Sequence, residues 1–262
     1  MTDIQEIFNT IKEQENSKKK IIASTSNKVE NFTSIEEKEE NIKVFMKNMK
    51  NDLFKIFDGS NGEIQIDPFD NISFVMEIQE DSVLSKEHME ITRLRGHKYT
   101  NLDAIDGEAA FVYLMNPILE HLKFSTRFLL DGRSYKNMGD NGDFKFGSKR
   151  LDIKTRQVRS SNFRSKTNLL INESTISKKF NYYGLVHREG DSSLEGKQRR
   201  CTFVGTATHE KVVENPPFII GNGDGRKDLG KKYEVKIDEL DSLSILIADV
   251  CLELFYRGGN NP

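Results

Sequence analysis

The sequence predicts a mixed α/β fold: a central mixed β-sheet flanked by helices, with an N-terminal helical extension. Three observations lead there. Apolar residues alternate over several short runs bounded by Gly, Asp and Asn. Two longer runs carry apolar residues at a 3.6-residue spacing. Residues 1–60 are instead rich in Lys, Glu, Asn and Gln, with few aromatics before Phe45. The expected organisation is a helical arm or accessory region over 1–60 and one larger domain over 61–262.

Taken in order, Ile4, Ile7, Phe8 and Ile11 fall at helical spacing, as do Val44, Met46, Met49, Leu53 and Phe57. Residues 17–40 between them are polar and read as a linker or a long solvated helix. The cluster DGSNG at 58–62 is turn chemistry. EIQIDPFDNISFVMEIQ then alternates like two strands broken at Asp67-Pro68. After a charged stretch, Ala104, Ala109, Val112, Met115, Leu119 and Leu122 define a helix, with Asn101 or Asp103 as N-cap and Pro117 as a kink or break. FSTRFLLD (124–131) reads as a strand. A β-hairpin follows: Asp143 to Phe146, a turn over Gly147-Ser148-Lys149, and Arg150 to Thr155. NLLINES, FNYYGLVHR and KYEVKIDEL read as strands, RCTFVGTATHEKVVE as a strand leading into a short helix, and GNGDGRK as a hairpin turn. DSLSILIADVCLELFYR is a final helix capped by Asp241.

A chain of 262 residues can bury a real core, although only 36% of it is hydrophobic and 31% is charged. A net charge of -2 argues against a uniformly basic coat. Residues 145–200, however, hold fourteen Lys/Arg against five Asp/Glu, so an anionic partner would dock there. Cys201 and Cys251 offer neither a disulfide framework nor a metal cluster and suit an apolar core. The N-terminus lacks a secretory pattern, and the longest apolar run, LSILIADVCLELF, is short and contains Asp249 and Glu253. The expectation is a soluble cytoplasmic protein (or one of the host cytoplasm, if viral), with no membrane association and no organic cofactor.

The chemistry concentrates in MGDNGDFKFGSKRLDIKTRQ, residues 138–157. Residues two apart on a strand share a face, so Asp152 and Lys154 project together while Leu151 and Ile153 face the core. Asp143 reaches the same volume from across the hairpin. Neighbouring carboxylates stay ionised only with a cation between them, and carboxylate oxygens suit Mg²⁺ or Mn²⁺. A lysine beside such an ion can orient or deprotonate a water and offset charge on a phosphate. Asp140 competes for the role of Asp143 but lies within the GDNGD turn, whereas Asp143 borders the strand.

Asp143, eight intervening residues, then Asp152-Ile153-Lys154 resembles the core motif of the PD-(D/E)xK nuclease superfamily. Gly142 stands where that pattern has proline. The resemblance covers residues 100–190 and implies a restriction-endonuclease-like core in the domain at 61–262, with metal-dependent cleavage of DNA. It implies Asp143 and Asp152 as ligands of Mg²⁺ or Mn²⁺, Lys154 as the residue that positions water, and the Ile153 carbonyl as a further ligand. Branches of the superfamily carry a glutamate on the preceding helix, where Glu108 stands.

Arg156, Arg159, Arg164 and Lys166 continue from the motif and would hold DNA phosphates on either side of the scissile bond, while Gln157 would contact DNA or line the site. The expected activity is that of an endonuclease, restriction-type or structure-specific. The alternative is a DNA-binding or assembly protein that keeps the fold without cleavage. A homodimer could form through the N-terminal arm or the final helix, where Leu246, Val250 and Leu254 share one side.

Overall fold

The computed structural model describes residues 35–60, 62–79, 82–94, 101–130, 142–158, 168–189, 198–219 and 230–257. The central feature is a six-stranded mixed sheet. Its strands are β1 (Gly62–Ile66), β2 (Ile72–Ile78), β3 (Phe144–Phe146), β4 (Lys149–Gln157), β6 (Tyr182–Glu189) and β7 (Arg199–Thr208), in the order β1-β2-β7-β6-β4-β3. Only β4 and β6 run parallel; the other neighbours are antiparallel. A smaller sheet, ordered β5-β9-β8, comprises β5 (Leu169–Asn172), β8 (Phe218–Ile219) and β9 (Lys231–Val235).

Three long helices share one core with the large sheet: α1 (Ile35–Phe57), α3 (Asn101–His121) and α6 (Leu243–Arg257). Helix α1 buries Ile42, Phe45, Met49, Leu53 and Phe57, a stripe at the spacing a one-sided helix needs. It therefore packs within the domain core, against α3 and α6. Helices α3 and α6 are apolar almost all round and correspondingly buried. Pro117 lies inside α3, which continues through it as one helix. The opposite face of the large sheet carries a second cluster, in which Tyr183, Leu185 and Ala207 meet Leu169, Ile171 and Val235 of the small sheet. Two short helices, α4 (Glu173–Ile176) and α5 (His209–Glu214), flank it.

Several expectations need correction. Residues 124–130 form no strand. The Asn116 side chain instead accepts from Phe128 N and donates to Phe128 O, both at 2.9 Å, giving that backbone the partners a neighbouring strand would supply. Phe128 packs edge-on against Phe111 at 4.9 Å. The charged stretch before α3 contains helix α2 (Val83–Leu94), whose buried side includes Ser85, His88 and Thr92 as well as Ile91, so its pattern is not an apolar stripe. KYEVKIDEL is strand only to Val235, with a 3₁₀ turn over Ile237–Glu239. Asp241 does not cap α6, because its backbone bridges Thr206 in both directions. The Ser242 hydroxyl accepts from Ser244 N and Ile72 N instead. Leu246, Val250 and Leu254 are buried in the core shared with the large sheet. GNGDGRK and the pattern Ile4–Ile11 lie outside the described residues.

Helix α3 crosses β4 at close range. A Cβ on Gly107 would fall 2.0 Å from Thr155 Oγ1 and 3.4 Å from an Ile153 methyl. Both partners are β-branched and cannot swing aside easily. Gly107→Ala should therefore lower stability by about 1–3 kcal/mol, read as a drop in the urea midpoint at unchanged slope.

Candidate active site

The site is assembled by the β3–β4 hairpin and α3. The hairpin turns over Gly147-Ser148, pairing Phe144 with Leu151 and Phe146 with Lys149. Gly147 takes φ +55, which glycine tolerates without strain. Beyond Phe144 the pairing continues by one residue: Asp143 N donates to Leu151 O at 3.0 Å. The next peptide group, Ile153 N–H, donates to the Asp143 side chain at Oδ2, 2.5 Å away. A carboxylate thus takes the place of the next backbone acceptor.

Gly142 explains its own departure from proline. Its φ is +85, whereas a proline ring fixes φ near −65°. A Cβ there would also lie 3.1 Å from Leu151 O and 3.2 Å from the Phe180 ring.

On β4, Leu151 and Ile153 face the core under α3, as expected, and both are buried. Asp152 and Lys154 project to the other face, beside Tyr183 and Leu185 of β6. Lys154 Nζ lies 2.7 Å from Asp152 Oδ2. Asp152 is 4% exposed, and Glu108 on α3 is 5% exposed. Asp143 connects these groups. Burial pushes its carboxyl well above the usual range, and the charges of Glu108 and Asp152 push it further. The Ile153 N–H and Lys154 pull it down without offsetting the rise. Three carboxylates and one ammonium therefore share a single electrostatic neighbourhood.

The donor set is all oxygen, which fits a hard divalent cation such as Mg²⁺ or Mn²⁺. Ile153 adds to it. In an antiparallel ladder the N–H and C=O of one residue face the same edge, so the Ile153 carbonyl faces the edge where Asp143 lies. Among the described residues, no three His, Cys, Asp or Glu side chains stand close enough to grip an ion as they are. The nearest acidic oxygens are turned to other donors: Asp143 to Ile153 N–H, Asp152 to Lys154.

The expected DNA contacts divide. Arg156 shares the face of Asp152 and Lys154 and is half-buried. Burial lowers its pKa, while Glu234 of β9 opposes that shift, so its charge faces the small sheet. Gln157 is exposed at the end of β4 on the other face. Arg159, Arg164, Lys166 and Asp140 lie outside the described residues. His187 is buried beside Arg156 in the β4–β6 register.

One cluster has no counterpart in the sequence reading. Asp106, two residues before Glu108 and fully buried, accepts from Arg188 Nε at 2.7 Å and pairs with Arg199 Nε at 2.8 Å. His88 Nδ1 lies 2.8 Å from its other oxygen, and Arg188 also reaches Asp103 at 2.9 Å. Burial alone would raise the Asp106 carboxyl; His88, Arg199 and Arg188 outweigh it and hold the group below its ordinary value. The available signal was an aspartate inside an apolar helix and an arginine ending an apolar strand.

No family model, curated protein or solved structure matches the chain. The hairpin therefore carries the functional argument by its own geometry.

The raised Asp143 has a thermodynamic sign. Between the ordinary carboxylate range and its elevated folded value, the folded state holds more protons than the unfolded one, so stability falls as pH rises. Asp143→Asn removes that penalty and can still accept from Ile153 N–H. In chelator at pH 7 the variant should melt a few degrees higher than wild type. The gain should vanish as pH falls towards ~4, measured by thermal melts across pH.

Proposed function

We propose that the chain is a metal-dependent deoxyribonuclease of the PD-(D/E)xK type, with a restriction-endonuclease-like core, acting as an endonuclease. What supports this reading is the pairing of Lys154 with Asp152 on β4 and the Ile153 N–H bond that holds Asp143 at the open end of the same hairpin, with Glu108 of α3 within electrostatic reach of Asp143. Packing does not call for two carboxylates and an amine on a short hairpin with a third carboxylate on the helix above it, since each charge taken from water is costly unless paired. Metal-assisted cleavage of a phosphodiester uses such a set.

Asp143, Asp152, Glu108 and the Ile153 carbonyl would hold Mg²⁺ or Mn²⁺. When bound, that ion supplies charge neutralisation at the phosphate and a lowered pKa for its water. The residues of the chain do the rest. Asp143 is anchored by Ile153 N–H, so its second oxygen is presented without rotational search. Lys154 sits on Asp152 and is half-exposed, placed to orient a water and to meet a phosphate oxygen. Tyr183 and Leu185 are buried beneath the pair and keep bulk water from that side. Arg156 on that face, and Arg159, Arg164 and Lys166 farther along the sequence, would meet phosphates, with Gln157 at the end of β4 contacting DNA or lining the site.

The test is cleavage of supercoiled, linear and branched DNA with Mg²⁺, with Mn²⁺ and with chelator. Wild type should cut only with metal. Lys154→Ala should lose ~10²–10⁴-fold in cleavage rate while DNA binding by gel shift persists. Wild type that binds DNA but never cuts would replace the reading with a DNA-binding protein of the same fold. Cutting in chelator would end the metal mechanism.

A further inference from the structure

Helix α6 buries two acids one turn apart, Asp249 at 0% and Glu253 at 2% exposure, within an otherwise apolar surface. Neither belongs to the site described above. Both face the turn of the β3–β4 hairpin. Lys149 Nζ reaches the two Asp249 oxygens at 2.6 and 2.7 Å, and the Tyr182 hydroxyl donates to Asp249 at 2.9 Å. Glu253 Oε2 accepts from Ser148 N at 3.1 Å and from Ser148 Oγ at 3.3 Å, and Arg257 pairs with it at 3.2 Å. Gly147 lies so close that a Cβ there would fall 2.5 Å from Glu253 Oε2.

Stability alone does not account for this arrangement. Replacing buried ion pairs by apolar residues of similar volume is often neutral or stabilising, whereas a buried pair can fix register. Register is what this hairpin lacks on its own. Strand β3 has three residues, and a slip of one residue would turn every side chain to the other face. The same register places Asp143 N on Leu151 O and Asp143 Oδ2 on Ile153 N–H.

We infer that Asp249 and Glu253 are positioning residues: α6 clamps residues 147–149 and thereby sets the placement of Asp143 relative to Asp152. The catalytic half of this inference rests on the nuclease reading; the structural half does not. The clamp acts at the turn, while the carboxylates it places lie at the far end of β3, so it touches neither substrate nor metal.

The experiment uses the full chain carrying Glu253→Gln, with Asp249→Glu as the conservative partner and Gly147→Ala as a second route should Glu253→Gln fail to fold. Three quantities are read at a temperature where circular dichroism shows each variant folded. They are amide hydrogen exchange, Mn²⁺ binding by calorimetry, and KM for DNA. Glu253→Gln should speed exchange at Asp143 and Ile153 at least tenfold without affecting β6 and β7. It should weaken Mn²⁺ binding about tenfold and leave KM for DNA within twofold, while Asp249→Glu restores most of the difference from an Asp249→Asn control. Uniformly faster exchange would overturn the inference in favour of simple destabilisation, and unchanged hairpin exchange would overturn it outright. Wild type that binds no Mn²⁺ would sink the nuclease reading, leaving the exchange pattern to judge the clamp.

Discussion

One hydrogen bond organises the candidate site: the backbone N–H of Ile153 to the carboxylate of Asp143. It extends the hairpin ladder by one step with a side chain instead of a strand. The acid is thereby carried to the end of β3, where the chain turns away through Gly142 at a φ that excludes proline. Were β3 one residue longer, a backbone carbonyl would occupy that place and no carboxylate would face Asp152. The site exists because the strand stops where it does.

Around that bond the protein holds an unusual amount of charge out of water. Asp106 with its arginines and His88 joins α2 and α3 to the ends of β6 and β7, and Asp249 with Glu253 joins α6 to the hairpin. Each carboxylate has several donors, which is the condition under which buried charge is tolerated. The two clusters brace the two elements that carry the candidate acids, α3 and the hairpin. Apolar packing gives α3 its depth in the core, while the directional contacts of Asp106 fix its rotation, and Glu108 follows two residues later.

Much of the architecture was legible because local periodicity reports burial. The alternation of β4 announced which residues face the core, and Leu151 and Ile153 lie there. The grouping of Asp143, Asp152 and Lys154 was legible for the same reason, since a hairpin is a local structure. What stayed hidden is long-range. Residues 124–130 are apolar enough for a strand, yet Asn116 satisfies Phe128 from a neighbouring helix. Helix α2 turns a largely polar side inward because its partners are Asp106 and Arg199. A charge pattern in sequence cannot distinguish a side chain bound for solvent from one bound for a buried counterion. The place of Arg156 against Glu234 was invisible for that reason too.

The packing of α1 against α6 has a consequence for how the chain is made. These are the first and last described helices, and each supplies part of one core. A chain growing from its N-terminus must hold the apolar side of α1 without its final partner until α6 leaves the ribosome. The sheet can pair earlier, but its hairpin has no seat until the same moment. Such late closure prolongs exposure of apolar surface and makes nascent intermediates sticky. It also means that a truncated product ending before Leu243 would carry the candidate acids on an unanchored hairpin. In a cell producing this chain, the order of synthesis itself would keep the candidate acids from being held together before the last helix is made.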